Sequence, residues 1–168
     1  MFRFILIFAV CLIVLVPLDL YQPVQDHVIV PFTALIAQVC VGIMHAWDSQ
    51  VVAQYNEMLS LTGKGGGIRI VAGCSGVEAV LILVSAVLAF PAPWKHKLVG
   101  IGVGFLAIQA LNVVRLISLY YLNQWNSVWF DWFHLYLWQA LIILDALVFF
   151  LVWLRWLPRE PAPVAATA

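Results

Sequence analysis

The sequence predicts an all-α integral membrane bundle of four to five apolar helices, carrying a small extracytoplasmic β-hairpin or loop. Three observations lead there. Of the 168 residues, 65% are hydrophobic and only 10% charged, whereas a soluble domain is nearer half apolar and a quarter charged. Apolar runs recur at lengths close to the roughly 20 residues that cross a hydrocarbon core. Short polar stretches separate them, and one, residues 48–73, is rich in glycine and β-branched side chains.

Residues 2–18 form the first apolar segment. Arg3 ahead of it resembles the start of a signal sequence, but no small-x-small cleavage pattern follows the run, so it reads as a retained anchor. Residues 28–46 are also apolar enough to span, although Pro31, Thr33 and Gln38 weaken them, and Pro31 near the start suits a helix entering at a surface. Between residues 48 and 73 the glycine-rich stretch 63–67 separates 58–61 from the β-branched run 68–71, which predicts a hairpin over the outer face. Residues 77–90 are short and must borrow from both sides, whereas 98–122 and 132–156 are long enough with some tilt. The count is four spans, with 28–46 as a fifth segment of open status. Residues 1–157 then make one membrane-embedded domain. The proline- and alanine-rich residues 158–168 are expected to be a disordered cytoplasmic tail.

Lysine and arginine in short loops orient the bundle. Lys95 and Lys97 lie in the turn at residues 91–97, between segments 77–90 and 98–122, and Arg155 and Arg159 lie in the C-terminal end beyond Leu154, so both read as cytoplasmic. Residues 123–131 carry two tryptophans and no lysine or arginine, and read as an external, interfacial loop. The start of segment 77–90, the end of 98–122 and the start of 132–156 therefore share the outer face. Residues 48–73 join them only if 28–46 lies in or re-enters the outer interface, the preferred arrangement, or if the N-terminus is external despite Arg3.

That shared face collects three reactive side chains. The zero net charge excludes a basic surface for nucleic acid. Cys11 and Cys40 fall inside apolar runs, and no CxxC pair exists for a thiol–disulfide relay. Cys74, in Gly73-Cys74-Ser75-Gly76, precedes a helix whose N-terminal amides favour a thiolate; the alternative is a packing cysteine. Arg115 is expected roughly 10 Å inside the outer end of its helix. It continues a polar stripe with Gln109 and Asn112, and the alternatives are snorkelling to the interface or pairing with Glu78. His134 opens the last segment as an acid or base near neutral pH, or as a solvated interfacial residue, with Asp131 as a candidate helix cap. Glu78 is expected to pair with Arg115 or to sit in the substrate path. Asp145 is expected to be protonated and bonded to Asn112 or Gln109. Taken together, a cysteine nucleophile, a histidine base and a cation for an oxyanion are what acyl transfer requires. One cysteine and one histidine lack the further ligands a zinc site needs, so no metal and no cofactor are expected.

At Gly73-Cys74-Ser75-Gly76-Val77-Glu78, Asn112-Val113-Val114-Arg115 and Phe133-His134 the chain resembles the exosortase/archaeosortase family of membrane sorting enzymes. The stretches Ala89-Phe90-Pro91-Ala92-Pro93-Trp94 and His134-Leu135-Tyr136-Leu137-Trp138-Gln139 look most like its exosortase H subgroup. The resemblance implies a cysteine transpeptidase at the outer face of the inner membrane of Gram-negative bacteria. Its partners would be the lipid bilayer, substrate proteins with a C-terminal sorting signal (a short motif, a membrane helix, a basic cluster) and an unknown acceptor amine. It implies Cys74 as nucleophile, Arg115 as transition-state stabiliser and His134 as acid/base. Ser75, Glu78, Asn112 and Trp138 are expected to support the site or line the substrate path. Two rivals stay open: an intramembrane serine protease using Ser75 of the GxSG string, and a non-enzymatic scaffold or transporter subunit in which Glu78, Arg115 and Asp145 join helices.

Overall fold

A computed structural model describes residues 2–62, 66–71 and 73–157. The expected tail and part of the expected glycine turn lie outside the described residues. Five helices and a three-stranded sheet make up the described chain: α1 Phe2–Asp19, α2 Gln22–Met44, β1 Val51–Gln54, β2 Glu57–Ser60, β3 Gly67–Arg69, α3 Val77–Ala89, α4 Trp94–Trp125 and α5 Ser127–Arg155. The all-helical bundle with a small antiparallel sheet is as the sequence predicts. Four helices, α1, α2, α4 and α5, are long and apolar enough to cross a membrane. The set differs from expectation in one exchange: α2 qualifies, while α3 has only 13 residues. Gly76 in the left-handed conformation starts α3 and Phe90, extended before Pro91, stops it.

α3 is the central helix, packed by α1, α4 and α5. Around its lower half α4 offers glycines where neighbours press in. A Cβ at Gly100 would collide with the Trp153 indole, and one at Gly104 with Leu83 and the Phe149 ring. The Trp153 Nε1–H donates to the His96 carbonyl at 3.0 Å, fixing α5 against the start of α4. Phe4 of α1 lies with its ring 6.4 Å from Phe90 and 6.3 Å from Phe150, so α1 begins at the end of the bundle where α3 finishes.

The opposite end carries the sheet. Phe32 and Phe105 rings lie 6.1 Å apart, and the Trp47 indole N–H, just past α2, donates to the Tyr121 hydroxyl at 2.8 Å. α2 therefore runs beside the second half of α4 in the same direction. Tyr121 donates in turn to Asp48 at 3.2 Å. The strands follow in the order β1-β2-β3, all antiparallel, with Val51 opposite Ser60 and Met58 opposite Ile68. Alternation turns Val51, Met58 and Ile68 inward, where with Ile70 they cover Ile36, Ala37, Cys40 and Met44 of α2 and Leu116, Leu119 and Tyr120 of α4. The outward Arg69 and Glu57 pair at 2.5 Å, exposed to solvent and so of small energetic weight. The hairpin expected from the sequence is β2–β3, and β1, which was not expected, completes the sheet.

Two loop expectations are corrected. Residues 123–131 are not a loop: α4 runs on to Trp125, α5 starts at Ser127, and Asn126 alone makes the joint. Its side-chain oxygen accepts from the Val128 N–H at 2.8 Å and the Trp129 N–H at 3.4 Å, so Asn126, not Asp131, caps the helix. Likewise α4 begins at Trp94, which shortens the expected turn at 91–97.

Candidate active site

The loop before α3 owes its path to two glycines with positive φ, Gly73 at 84° and Gly76 at 74°. Gly76 is also pressed onto α4: a Cβ there would stand 3.1 Å from Gln109 Nε2 and 3.2 Å from Asn112 Cγ. The loop is therefore laid directly over the Gln109–Asn112–Arg115 stripe. Cys74 is held by its own N–H, which donates to the Val71 carbonyl at 2.9 Å, and the residue is buried. Ser75 is buried beside it, and its hydroxyl oxygen accepts the Val77 N–H at 3.4 Å at the start of α3.

His134 comes from α5, within the wider π-helical turn Phe133–Leu137. Such turns recur at functional sites because the extra residue per turn re-aims side chains. The imidazole stacks on Phe130, centroids 5.5 Å apart and planes 9° from parallel. Its Nε2 lies 3.8 Å and its Nδ1 4.0 Å from the Cys74 sulfur, across 60 residues of sequence.

Arg115 is 1% exposed. Because α4 reaches Trp125, ten residues on, the guanidinium sits about 15 Å along the helix from that end rather than the expected 10 Å. Its charge acts on both Cys74 and His134. Among the described residues, Arg115 Nε and Nη1 have no hydrogen-bond partner, nor do the amide atoms of Gln109 and Asn112 or the Trp138 indole nitrogen. Each such orphaned group costs on the order of 1–3 kcal/mol. Four of them beside one cysteine are what a pocket built to receive a polar backbone looks like.

The structure does not give Arg115 the carboxylate partner the sequence suggested. Among the described residues no ion pair joins it to Glu78, which is exposed at the start of α3. Nor does Asp145 bond Asn112 or Gln109, whose amides stay unpartnered. The expected easy thiolate is corrected as well. Burial pushes the Cys74 thiol above its ordinary range, Arg115 and a main-chain hydrogen bond from Val71 pull it down, Glu78 pushes it up, and the net direction is upward. A helix N-terminus favours the thiolate, but the loss of water around the sulfur is the larger effect.

Of the seven residues singled out, Cys74, Ser75, Arg115, Asn112, His134 and Trp138 converge on the cluster beneath the sheet, while Glu78 lies at its edge. Phe130 was missed, although its place four residues before His134 puts it on the same helical face.

The transmembrane exosortase family (Exosortase_EpsH) matches residues 1–154. No curated protein and no solved structure matches the chain. The family match supports a membrane transpeptidase or protease role in general terms and a multi-pass place in the membrane. The chain belongs to the transmembrane exosortase family.

Proposed function

We propose that this protein is a cysteine transpeptidase that cleaves proteins next to a C-terminal membrane helix and transfers them to an acceptor amine at the outer face of a bacterial inner membrane. The observation that carries the proposal is the 3.8 Å approach of His134 Nε2 to Cys74 Sγ beside a buried Arg115 whose guanidinium has free donors.

The resting thiol is neutral, so the base must act at the moment of attack. His134 takes the Cys74 proton as the sulfur bonds to the scissile carbonyl carbon. The carbonyl oxygen becomes an oxyanion, and Arg115, fixed by burial and already stripped of water, stabilises it with its unpartnered N–H groups. The intermediate collapses, the C–N bond breaks, and His134 returns its proton to the leaving amine. A thioester on Cys74 remains. An acceptor amine, or water, then attacks the thioester with His134 again as base, and the thiolate leaves and is reprotonated. Gln109, Asn112 and Trp138 hold the substrate backbone through the donors and acceptors they leave open. Burial keeps the resting thiol neutral, and Glu78, exposed beside the loop, adds a smaller push in the same direction.

Ser75 is less suited to the nucleophile's part. Its hydroxyl is buried at the foot of α3 against the Val77 N–H, and the imidazole contact goes to the sulfur instead. Co-expression with a substrate carrying a C-terminal membrane helix tests the assignment. Processing should stop in Cys74→Ala and persist in Ser75→Ala; the reverse pattern sinks it.

A further inference from the structure

A second cavity lies at the other end of the bundle, among α1, the end of α3 and the start of α4. Its volume is about 740 Å³, and it is partly open to the surroundings. Phe4, Ile7, Leu88 and Phe150 contribute apolar walls, and two cations, Arg3 and Lys97, line the same space. Lys97 is 92% buried by its 8% exposure, its ammonium donating to the Leu88 carbonyl at 2.8 Å and lying 5.2 Å from the Trp94 ring centroid. One carbonyl uses one of three ammonium donors. Arg3 is exposed and has no hydrogen bond or ion pair among the described residues. The first turn of α4 adds a reason to expect an anion, since it holds Lys95 and Lys97 and no acid, where the helix dipole disfavours cations.

We propose that this cavity is a binding site for an anionic phospholipid, with the headgroup phosphate held between Arg3 and Lys97 and an acyl chain lying along Phe4, Ile7 and Phe150. Positive charge at the rim of an apolar cleft complements a negative head on an apolar tail, and neither a free anion nor a neutral lipid uses both parts. The site stands apart from Cys74 and does not depend on the reading of that centre. An occupied cavity would brace α1, a helix that otherwise packs chiefly on α3.

The test is native mass spectrometry of the full chain released from micelles containing equimolar phosphatidylglycerol and phosphatidylcholine. The wild type should retain phosphatidylglycerol preferentially. Arg3→Gln should lower that preference about fivefold, the worth of one basic residue against an anionic lipid surface, while Arg3→Lys keeps it. Lys97→Gln should lower it too, with a thermal melt reporting any separate loss from the Leu88 contact. Equal retention of the two lipids by the wild type, or an unchanged preference in Arg3→Gln, overturns the proposal. Displacement of the bound lipid by inorganic phosphate alone overturns the assignment to a lipid.

Discussion

The two hydrophobic clusters of this bundle differ in what they leave unfinished. The lower one, around Ala79, Leu83, Val87, Ile108, Ala146 and Trp153, is closed by complementary shapes: glycines on α4 receive Trp153, Leu83 and Phe149, and the Trp153 N–H has its carbonyl. The upper one, roofed by the sheet, contains Cys74 and borders the amides of Gln109 and Asn112, Arg115 Nε and Nη1 and the Trp138 indole nitrogen, which are buried with no partner among the described residues. Among the described residues the orphaned polar groups gather at the upper end, against His96 Nδ1 alone beside the lower cluster, the contrast expected if stability resides below and the proposed chemistry above.

The largest expected effects break the upper cluster. Cys74→Ala should reduce substrate processing to background with little change in the thermal midpoint. His134→Ala should slow it about 10²–10⁴-fold, the usual worth of a positioned acid/base. Arg115→Lys, which keeps the charge but not the planar fork, should cost about 10²–10³-fold. Survival of wild-type processing in Arg115→Lys would mean that the guanidinium is a helix-joining group and not an oxyanion clamp.

The lower cluster should respond in the opposite sense. Gly104→Val pushes side-chain atoms into Leu83 and Phe149 and should destabilise the bundle by about 1–3 kcal/mol. Any folded fraction should process substrate at the normal rate. Asn112→Leu sharpens the contrast further: replacing an unsatisfied amide by an apolar group of similar size should leave the melting midpoint unchanged or raised while slowing processing. A clear drop in the midpoint would show that Asn112 is a structural polar contact.

The smallest effect concerns the thiol itself. Its ionisation lies above the ordinary thiol range, so at neutral pH the protonated form dominates and alkylation should be slow, accelerating only as pH rises beyond that range. Arg115→Gln removes a charge that favours the thiolate and should shift the profile to still higher pH, whereas Glu78→Gln removes an opposing charge and should shift it down. Rates of iodoacetamide labelling at Cys74, followed by intact mass, read both shifts, and a profile unmoved by either substitution contradicts this electrostatic picture.

Much of the architecture is legible in the sequence. Five apolar segments became five helices because hydrocarbon length and hydropathy leave a spanning chain little choice. The placement of residues 48–71 beside Cys74 was an open question of parity. Contacts decided it: α2 climbs beside α4 from Phe32 near Phe105 to Trp47 at Tyr121. β1 was hidden because Val51-Val52-Ala53-Gln54 follows an apolar helix closely and its pairing with β2 is a tertiary fact. Asn126 was hidden in a stretch that composition alone assigns to a loop, since one side-chain cap replaces nine residues of expected connection. The thiol's direction was misjudged because a sequence shows a helix end but not how completely the sulfur is dried.

The central claim is that Cys74 carries the acyl group, and its most direct test is intact and tryptic mass spectrometry of the protein recovered after co-expression with a substrate bearing a C-terminal membrane helix. An adduct on Cys74 with the mass of the substrate up to its cleavage site, released by hydroxylamine and absent from Cys74→Ala, is expected. An adduct on Ser75, or cleavage that continues in Cys74→Ala, would contradict it.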